Sequence, residues 1–396
     1  MQTSDQLWTK NFLLMGLVNL LCVLVFYMLV VVIAGYAVTE MGATKAQAGL
    51  ISGLFIVGTL TGRLVVNQII DRFGRKPTLW AGLFGVVLSA ALYLINWGAE
   101  FLLFVRFLHG FTFGLVSTVI SSAIVQIIPA SRRAEGIGYY SLSSTLGTAI
   151  GPFLGLFLIL HTDYHWIFIS SIGFAILSLV VCLCINFPPL PEKTISIDTK
   201  QQKNHFIHQV LEVKALPIGL VVLITAICYS SVLSFISFYA KHLDLVKTAS
   251  VFFLTYALAI LASRPFTGKL MDRKGENIVM YPALLTLSAG LFILSFTSNS
   301  AMLLLSAALL GLGFGNIQSI AQTIAVKKAE LSRMGLATST FFMALDAGLG
   351  FGPFALGLLL SYISYEQMYF WSGVACLMTV ALYYVLHGRT ANIQPR

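Results

Sequence analysis

Charge is what this sequence has least of. Only 10% of its 396 residues are Asp, Glu, Lys or Arg, while 58% are hydrophobic. A water-soluble domain carries about 25% charged residues, so too little charge is present here to cover a surface facing water. Cysteine is also scarce. Cys22, Cys182, Cys184, Cys228 and Cys376 all fall inside apolar runs, and none has zinc-ligand spacing; they read as small packing residues, with no metal site. No Gly-x-x-x-x-Gly-Lys-Ser/Thr phosphate loop occurs and no soluble nucleotide-hydrolysing domain has room, which excludes an ATP-driven machine. No convergent catalytic set is visible, so an enzyme is not expected, and no cofactor is implied. Short tails argue against a receptor with an appended signalling domain. The net charge of +9 could suggest a nucleic-acid partner, but the Lys and Arg lie in short clusters between apolar runs, which points to membrane topology instead.

What the sequence does have is long apolar runs. A helix needs about 20 apolar residues to cross a bilayer, and twelve candidate runs can be marked: 11–36, 46–70, 78–97, 101–128, 136–160 and 164–186, then 216–240, 249–271, 279–298, 300–326, 335–362 and 366–387. They are spans 1 to 12 below. The first is too long for a signal-peptide core and should remain as a span. The expected organisation is a six-helix bundle over 1–186, a linker over 187–215 and a second six-helix bundle over 216–396. The linker opens on Pro188, Pro189 and Pro191, holds Lys193, Lys200, Lys203 and Lys214, and could form a short surface helix around His205 to Lys214. With the N-terminus inside, 18 of the 24 Lys and Arg fall in inside segments. Three fall outside (Lys45, Lys241, Lys247), and three within spans (Arg63, Arg106, Arg264). This asymmetry predicts both termini in the cytoplasm.

The two halves repeat. Asp71 and Asp272 are 201 residues apart, as are Arg63 and Arg264, Gly74 and Gly275, Gly110 and Gly311, Gly114 and Gly315, Gly147 and Gly348, Gly151 and Gly352, and Pro152 and Pro353. With six spans per half, both copies enter the membrane in the same direction and are related by an axis along the membrane normal. The expectation is an all-α integral membrane protein, two six-helix bundles around a central cavity that rocking opens to each side in turn.

Several positions stand out against this background. The loop after span 2 reads Asn67 to Lys76 with Asp71, Arg72, Gly74 and Arg75; the loop after span 8 reads Gly268 to Gly275 with Asp272 and Arg273. Glycine suits a tight turn and the charges suit a network at the membrane face. Span 4 carries Arg106 and His109. A buried Arg costs several kcal/mol unless it is paired or meets water; it can bond to backbone carbonyls or serve a functional site. His109 can be a titrating group or a neutral hydrogen-bond partner. Span 5 carries Gly138, Gly147, Gly151, Pro152 and Gly155, a spacing that lets helices approach closely, with a bend at the proline.

Of fifteen acidic residues, Asp346 alone lies deep in a span. A lone carboxylate there takes up a proton readily, as a coupling site requires; the plainer alternative is an Asp neutralised by a polar neighbour. Glu135, at the start of span 5, is a weaker coupling candidate because it can pair with Arg132 or Arg133. Arg63 and Arg264 lie about 12 Å of helix before their loop carboxylates. There they could hold an anionic substrate or snorkel to the surface. Asn19 and Tyr27 in span 1 and Tyr229, Ser230 and Ser231 in span 7 are polar candidates for substrate contact.

Both loops resemble the signature Gly-x-Leu-x-Asp-Arg-x-Gly-Arg-Lys of the major facilitator superfamily. The first has Asn67 for the leading Gly, and the second has Glu276 and Asn277 for the trailing Arg-Lys. The likeness covers nearly the whole chain. It is greatest to small bacterial exporters of the drug and arabinose-efflux type, through Arg133-Ala-Glu-Gly-Ile-Gly138 before span 5 and Asp346 before Gly348, Gly352 and Pro353 in span 11. The resemblance implies that the loops latch the outward-open state. It also implies that Arg106, in an Arg-x-x-Gln-Gly pattern with His109 for Gln, is tied to proton coupling, and that spans 1 and 7 line the cavity. The span-5 glycines match most of a motif associated with antiporters, with Leu156 in place of the last Gly. The expected function is proton-coupled export of a small organic molecule, the alternative being uptake of a sugar or carboxylate by symport. The expected partners are substrate, protons and the lipid bilayer, and the expected setting is a monomer in a bacterial inner membrane.

Overall fold

The computed structural model describes residues 6–187, 210–249, 251–360 and 362–391. Among them every regular element is helical. The first repeat contains α1 (Lys10–Val30), α2 (Ile33–Met41), α3 (Lys45–Phe73), α4 (Arg75–Leu92), α5 (Ala99–Ile127), α6 (Arg133–His161) and α7 (Tyr164–Leu183). The second contains α8 (Leu216–His242), α9 (Phe252–Lys274), α10 (Asn277–Ser295), α11 (Ser300–Leu310), α12 (Asn316–Lys328), α13 (Met334–Leu359) and α14 (Tyr365–Tyr383). Among the described residues eleven helical stretches are long and apolar enough to cross a membrane. The remaining expected span is α4, whose eighteen residues open on Arg75-Lys76-Pro77.

Two spans differ from their sequence outline. Span 1 breaks at Val31 and Val32 and continues as α2 to Met41. The break falls in the run Val30-Val31-Val32-Ile33, where four consecutive β-branched side chains crowd a helical turn. Span 10 is divided by a π-turn over Gly311–Gly315. Here Gly-Leu-Gly-Phe-Gly weakens the α-helical preference and lets other backbones come near. A Cβ on Gly313 would meet the Leu287 backbone nitrogen at 2.5 Å, and one on Gly311 would meet the Tyr256 carbonyl.

The described residues fall into two compact units that follow the repeats except at two helix starts. The first comprises Met1–Ile128, Ser143–Leu211 and Leu331–Ser339; the second comprises Pro129–Leu142, Glu212–Glu330 and Thr340–Arg396. The first turns of α6 are thus assigned with the second repeat, and those of α13 with the first. The helix expected around His205 lies largely outside the described residues; its described end is a short 3-10 turn over Val213–Ala215. Four of the five cysteines are buried as expected, but Cys184, just past the end of α7, is exposed.

Candidate functional site

Asp346 sits near the middle of α13 and is half-buried. The α13 glycines fix which way it faces. A Cβ on Gly348 would lie 2.6 Å from that of Ala226, and one on Gly352 would meet the Ser230 hydroxyl. Gly348 and Gly352 therefore lie against α8. Asp346 is two residues from Gly348, about 200° around the helix, so it lies on the face turned away from α8. Among the described residues no other carboxylate is so far from the ends of a helix.

Arg106 is fully buried on α5. Its Nε donates to the Ile51 carbonyl at 3.1 Å, its Nη1 donates to the Tyr93 hydroxyl at 3.3 Å, and its guanidinium lies 4.7 Å from the centre of the Phe55 ring. His109, one turn on, is also fully buried, with Nδ1 3.1 Å from the same hydroxyl. Arg106 donates to the Tyr93 hydroxyl, and the same hydroxyl is within hydrogen-bond distance of His109, so one phenol joins the two residues. Arg106 combines a carbonyl bond, a hydroxyl bond and a cation–π contact, which together offset part of the cost of a buried cation. Arg106 Nη2 and His109 Nε2 have no hydrogen-bond partner among the described residues.

Arg63 and Arg264 are only 2% and 3% exposed, so neither snorkels to the surface. Arg63 Nη1 donates to the Thr118 hydroxyl at 3.0 Å. Arg264 Nη1 donates to the Ser319 hydroxyl, and its Nη2 donates to the Gly315 carbonyl at 2.9 Å. Thr118 and Ser319 are themselves 201 residues apart, so each repeat uses the same bond to tie its second span to its fourth.

Asn19 is buried and donates to the hydroxyls of Ser143 (2.7 Å) and Ser144 (2.9 Å), joining α1 to α6. Beyond that clamp, α6 approaches α1 through the glycines predicted for it. A Cβ on Gly147 would stand 2.7 Å from Val23, one on Gly151 would stand 2.8 Å from the Tyr27 Cβ, and one on Gly155 would stand 2.6 Å from the Met28 carbonyl. Pro152 lies within this stretch of α6. Gly138 instead faces Arg264, at 3.7 Å. Tyr229 stacks on Phe314 at 4.0 Å and faces Tyr256 at 5.5 Å. In the first repeat Phe55 and Phe113 occupy the positions equivalent to Tyr256 and Phe314, with Phe26 stacked on Phe55 at 4.3 Å. Both repeats thus build an aromatic cluster from equivalent spans.

The signature loops turn as their glycines predict, with φ of 87° at Gly74 and 91° at Gly275, a region that glycine alone enters freely. Asp272 accepts from the Ala134 and Glu135 backbone nitrogens, each at 3.0 Å. It thereby caps the start of α6 with a carboxylate, where the helix dipole favours negative charge. Glu135 is 5% exposed and pairs with Arg132 at 2.7 Å and with Lys269 at 4.0 Å. It therefore belongs to this charge network. Arg75 Nη1 donates to the Gln126 side chain at 2.7 Å, while Asp71, Arg72 and Arg273 are exposed. The replacement of the leading Gly by Asn67 also has a physical reason. A Cβ on Gly268 would meet the Glu135 Cα at 2.6 Å, whereas at the equivalent contact of the first repeat Gly335 of α13 leaves room for the Asn67 side chain at 3.7 Å. The small residue has moved to the other helix.

Sequence reasoning missed Tyr93, Ser143, Ser144, Thr118 and Ser319. The 201-residue offset could have found the last two, because it already linked the arginines they bind.

The model of the Major Facilitator Superfamily matches residues 15–353 and 246–395. The chain belongs to the Major Facilitator Superfamily. It is 26% identical to an uncharacterised transporter of this type from Methanocaldococcus jannaschii, over 89% of this chain and 92% of that one. It is 22% identical to the staphylopine export protein of Staphylococcus aureus, covering 87% and 88%, and 24% identical to multidrug resistance protein 1 of Bacillus subtilis, covering 89% and 90%. Among solved structures its fold is similar to that of the human organic anion transporter MFSD10, with a TM-score of 0.75 at 17% identity, covering 94% of this chain and 98% of that one. The proton:xylose symporter XylE gives 0.74 at 14% identity, covering 95% of each chain. The protein is a multi-pass membrane transporter of this superfamily, with relatives that act in efflux, and it is not an enzyme.

Proposed function

We propose that this transporter exports a small organic molecule in exchange for protons, and that Asp346 carries the proton. The observation that carries this reading is the place of that carboxylate. It lies mid-span, half-buried, on the face of α13 turned away from α8. Deep in a span a carboxylate is costly when charged and inexpensive when neutral, so its protonation state can be exchanged for a conformational preference. Arg106 is the second coupling element. Its guanidinium is held by the Ile51 carbonyl, the Tyr93 hydroxyl and the Phe55 ring, with His109 on the same hydroxyl.

Arg63 and Arg264 serve mainly as anchors between spans, since each gives one donor to a hydroxyl on another span, Thr118 or Ser319. Substrate contact falls to Tyr27, Tyr229 and the aromatic rings beside them. The signature loops face the cytoplasm with both termini, in a cell membrane, on the strength of the 18 to 3 distribution of Lys and Arg. The Asp272 cap on α6 is a latch released during the transport cycle. Export is favoured over uptake by the α6 glycine series and by the efflux proteins among the relatives.

The test is efflux from cells overproducing the protein, across cationic dyes, antibiotics and anionic metabolites, comparing wild type, Asp346→Asn and wild type with an uncoupler. Export stopped by both the substitution and the uncoupler supports the reading. Export stopped only by the uncoupler moves coupling to Arg106 and Glu135, and accumulation in place of export reverses the direction.

A further inference from the structure

A second polar site lies in the second unit, and none of the residues that line it was assigned to transport above. At the membrane face that carries the Gly268–Gly275 loop, a cavity of about 230 Å³ is lined by Lys214, Ile218, Ile324, Lys328, Leu386 and His387. Its place beside that loop is fixed by two contacts. Lys327 pairs with Glu276 at 3.7 Å, and Asn277 Nδ2 donates to the Gly388 carbonyl at 2.8 Å.

Two independent features of the cavity favour an anion. The start of α8 is not one of them, because Pro217 has no N–H and the Leu216 N–H is bonded to the Val213 carbonyl. The first is a pair of lysines on either side. Lys214 is exposed and paired with Glu330 at 3.6 Å, while among the described residues no carboxylate pairs with Lys328. The second is His387, only 5% exposed, whose Nε2 has no hydrogen-bond partner among the described residues. A buried polar nitrogen left unmatched is destabilising, and a ligand oxygen would satisfy it. Ile218, Ile324 and Leu386 add an apolar wall to the same cavity.

We propose that this cavity binds a phosphate group, held by Lys214, Lys328 and His387 Nε2, with the apolar wall receiving the chain of an anionic phospholipid. Phosphate offers several strong acceptor oxygens to a point-charge donor such as lysine. The apolar wall and the interfacial position select a lipid headgroup over free phosphate. The proposal stands apart from Asp346 and from the direction of transport, and requires only that the protein is embedded in a membrane.

The test uses the full-length protein in phosphatidylcholine nanodiscs. Phosphatidylglycerol is added in one arm and inorganic phosphate in the other, with native mass spectrometry for bound lipid and heat unfolding for both arms. Wild type should retain phosphatidylglycerol. Lys214→Gln combined with Lys328→Gln should weaken that retention about tenfold or more, as expected when two charge-assisted contacts are lost. Lys328→Arg should keep most of it, and Lys241→Gln, far along the chain at the other end of α8, should leave it unchanged. Unfolding in pure phosphatidylcholine checks that each variant is folded. If inorganic phosphate alone stabilises wild type and not the double variant, the phosphate site stands with a soluble ligand. Equal retention by wild type and the double variant, or loss matched by Lys241→Gln, overturns it as general surface attraction.

Discussion

Tyr93 joins the two buried polar residues of span 4 through a single hydroxyl. Its hydroxyl is within 3.3 Å of Arg106 Nη1 and 3.1 Å of His109 Nδ1, so Tyr93→Phe leaves two polar nitrogens unmatched in a fully buried place. Such losses cost about 1–3 kcal/mol each, and Tyr93→Phe should lower the unfolding temperature in detergent clearly. Tyr139→Phe, at a half-buried position, should have a smaller effect. An unchanged unfolding temperature for Tyr93→Phe would mean that the hydroxyl contributes little. Arg106 and His109 were legible in the sequence because polar residues in an apolar span stand out. Tyr93 was not, since nothing in the local pattern at the end of span 3 distinguishes an aromatic residue that faces a buried cation from one that faces lipid. The arginines of spans 2 and 8 lie between these cases. Their symmetry was plain, but their partners Thr118 and Ser319, which share the same offset, were not singled out.

At the scale of the helix, glycines decide which spans touch. Gly147→Val would drive new methyl groups into Val23, whose nearest atom is already 2.7 Å from the site of a Cβ. Overpacking of this kind costs about 1–3 kcal/mol, and yield of folded protein and transport should fall together. Gly173→Ala is the matched control. Nothing lies within 4 Å of its Cβ position on α7, so the substitution should be neutral or stabilise by up to about 1 kcal/mol through helix propensity. The Asp272 cap gives a second element-scale expectation. Asp272→Asn keeps the size but removes the charge that meets the start of α6, a loss of about 0.5–2 kcal/mol by comparison with other caps. The measurement is protection of the α6 first turn in hydrogen exchange, which should decrease around Ala134 and Glu135 and remain unchanged near Gly147. The existence of these helices was legible because long apolar runs need no further context. The break at Val31 and the π-turn at Gly311–Gly315 were not, because β-branched and glycine-rich stretches are common in membrane helices that stay regular.

At the scale of the whole molecule, twelve spans and an internal repeat were readable from apolar runs and one constant offset. The substrate was not, because specificity rests on a few side chains whose neighbours come from distant parts of the chain. The charge distribution carries its own expectation. A cysteine placed in the loop near Arg75, in a background lacking the exposed Cys184, should resist an impermeant thiol reagent added to intact cells and react after permeabilisation. Reaction in intact cells would invert the topology. The central claim is that Asp346 ties movement of substrate to movement of protons. The most direct measurement reconstitutes wild type and Asp346→Asn in liposomes with the first compound that wild-type cells expel. It compares two rates, exchange of labelled for unlabelled compound at equal pH, and accumulation driven by a pH gradient. The account predicts that Asp346→Asn keeps exchange and loses gradient-driven accumulation. Retention of both at wild-type rates would contradict it.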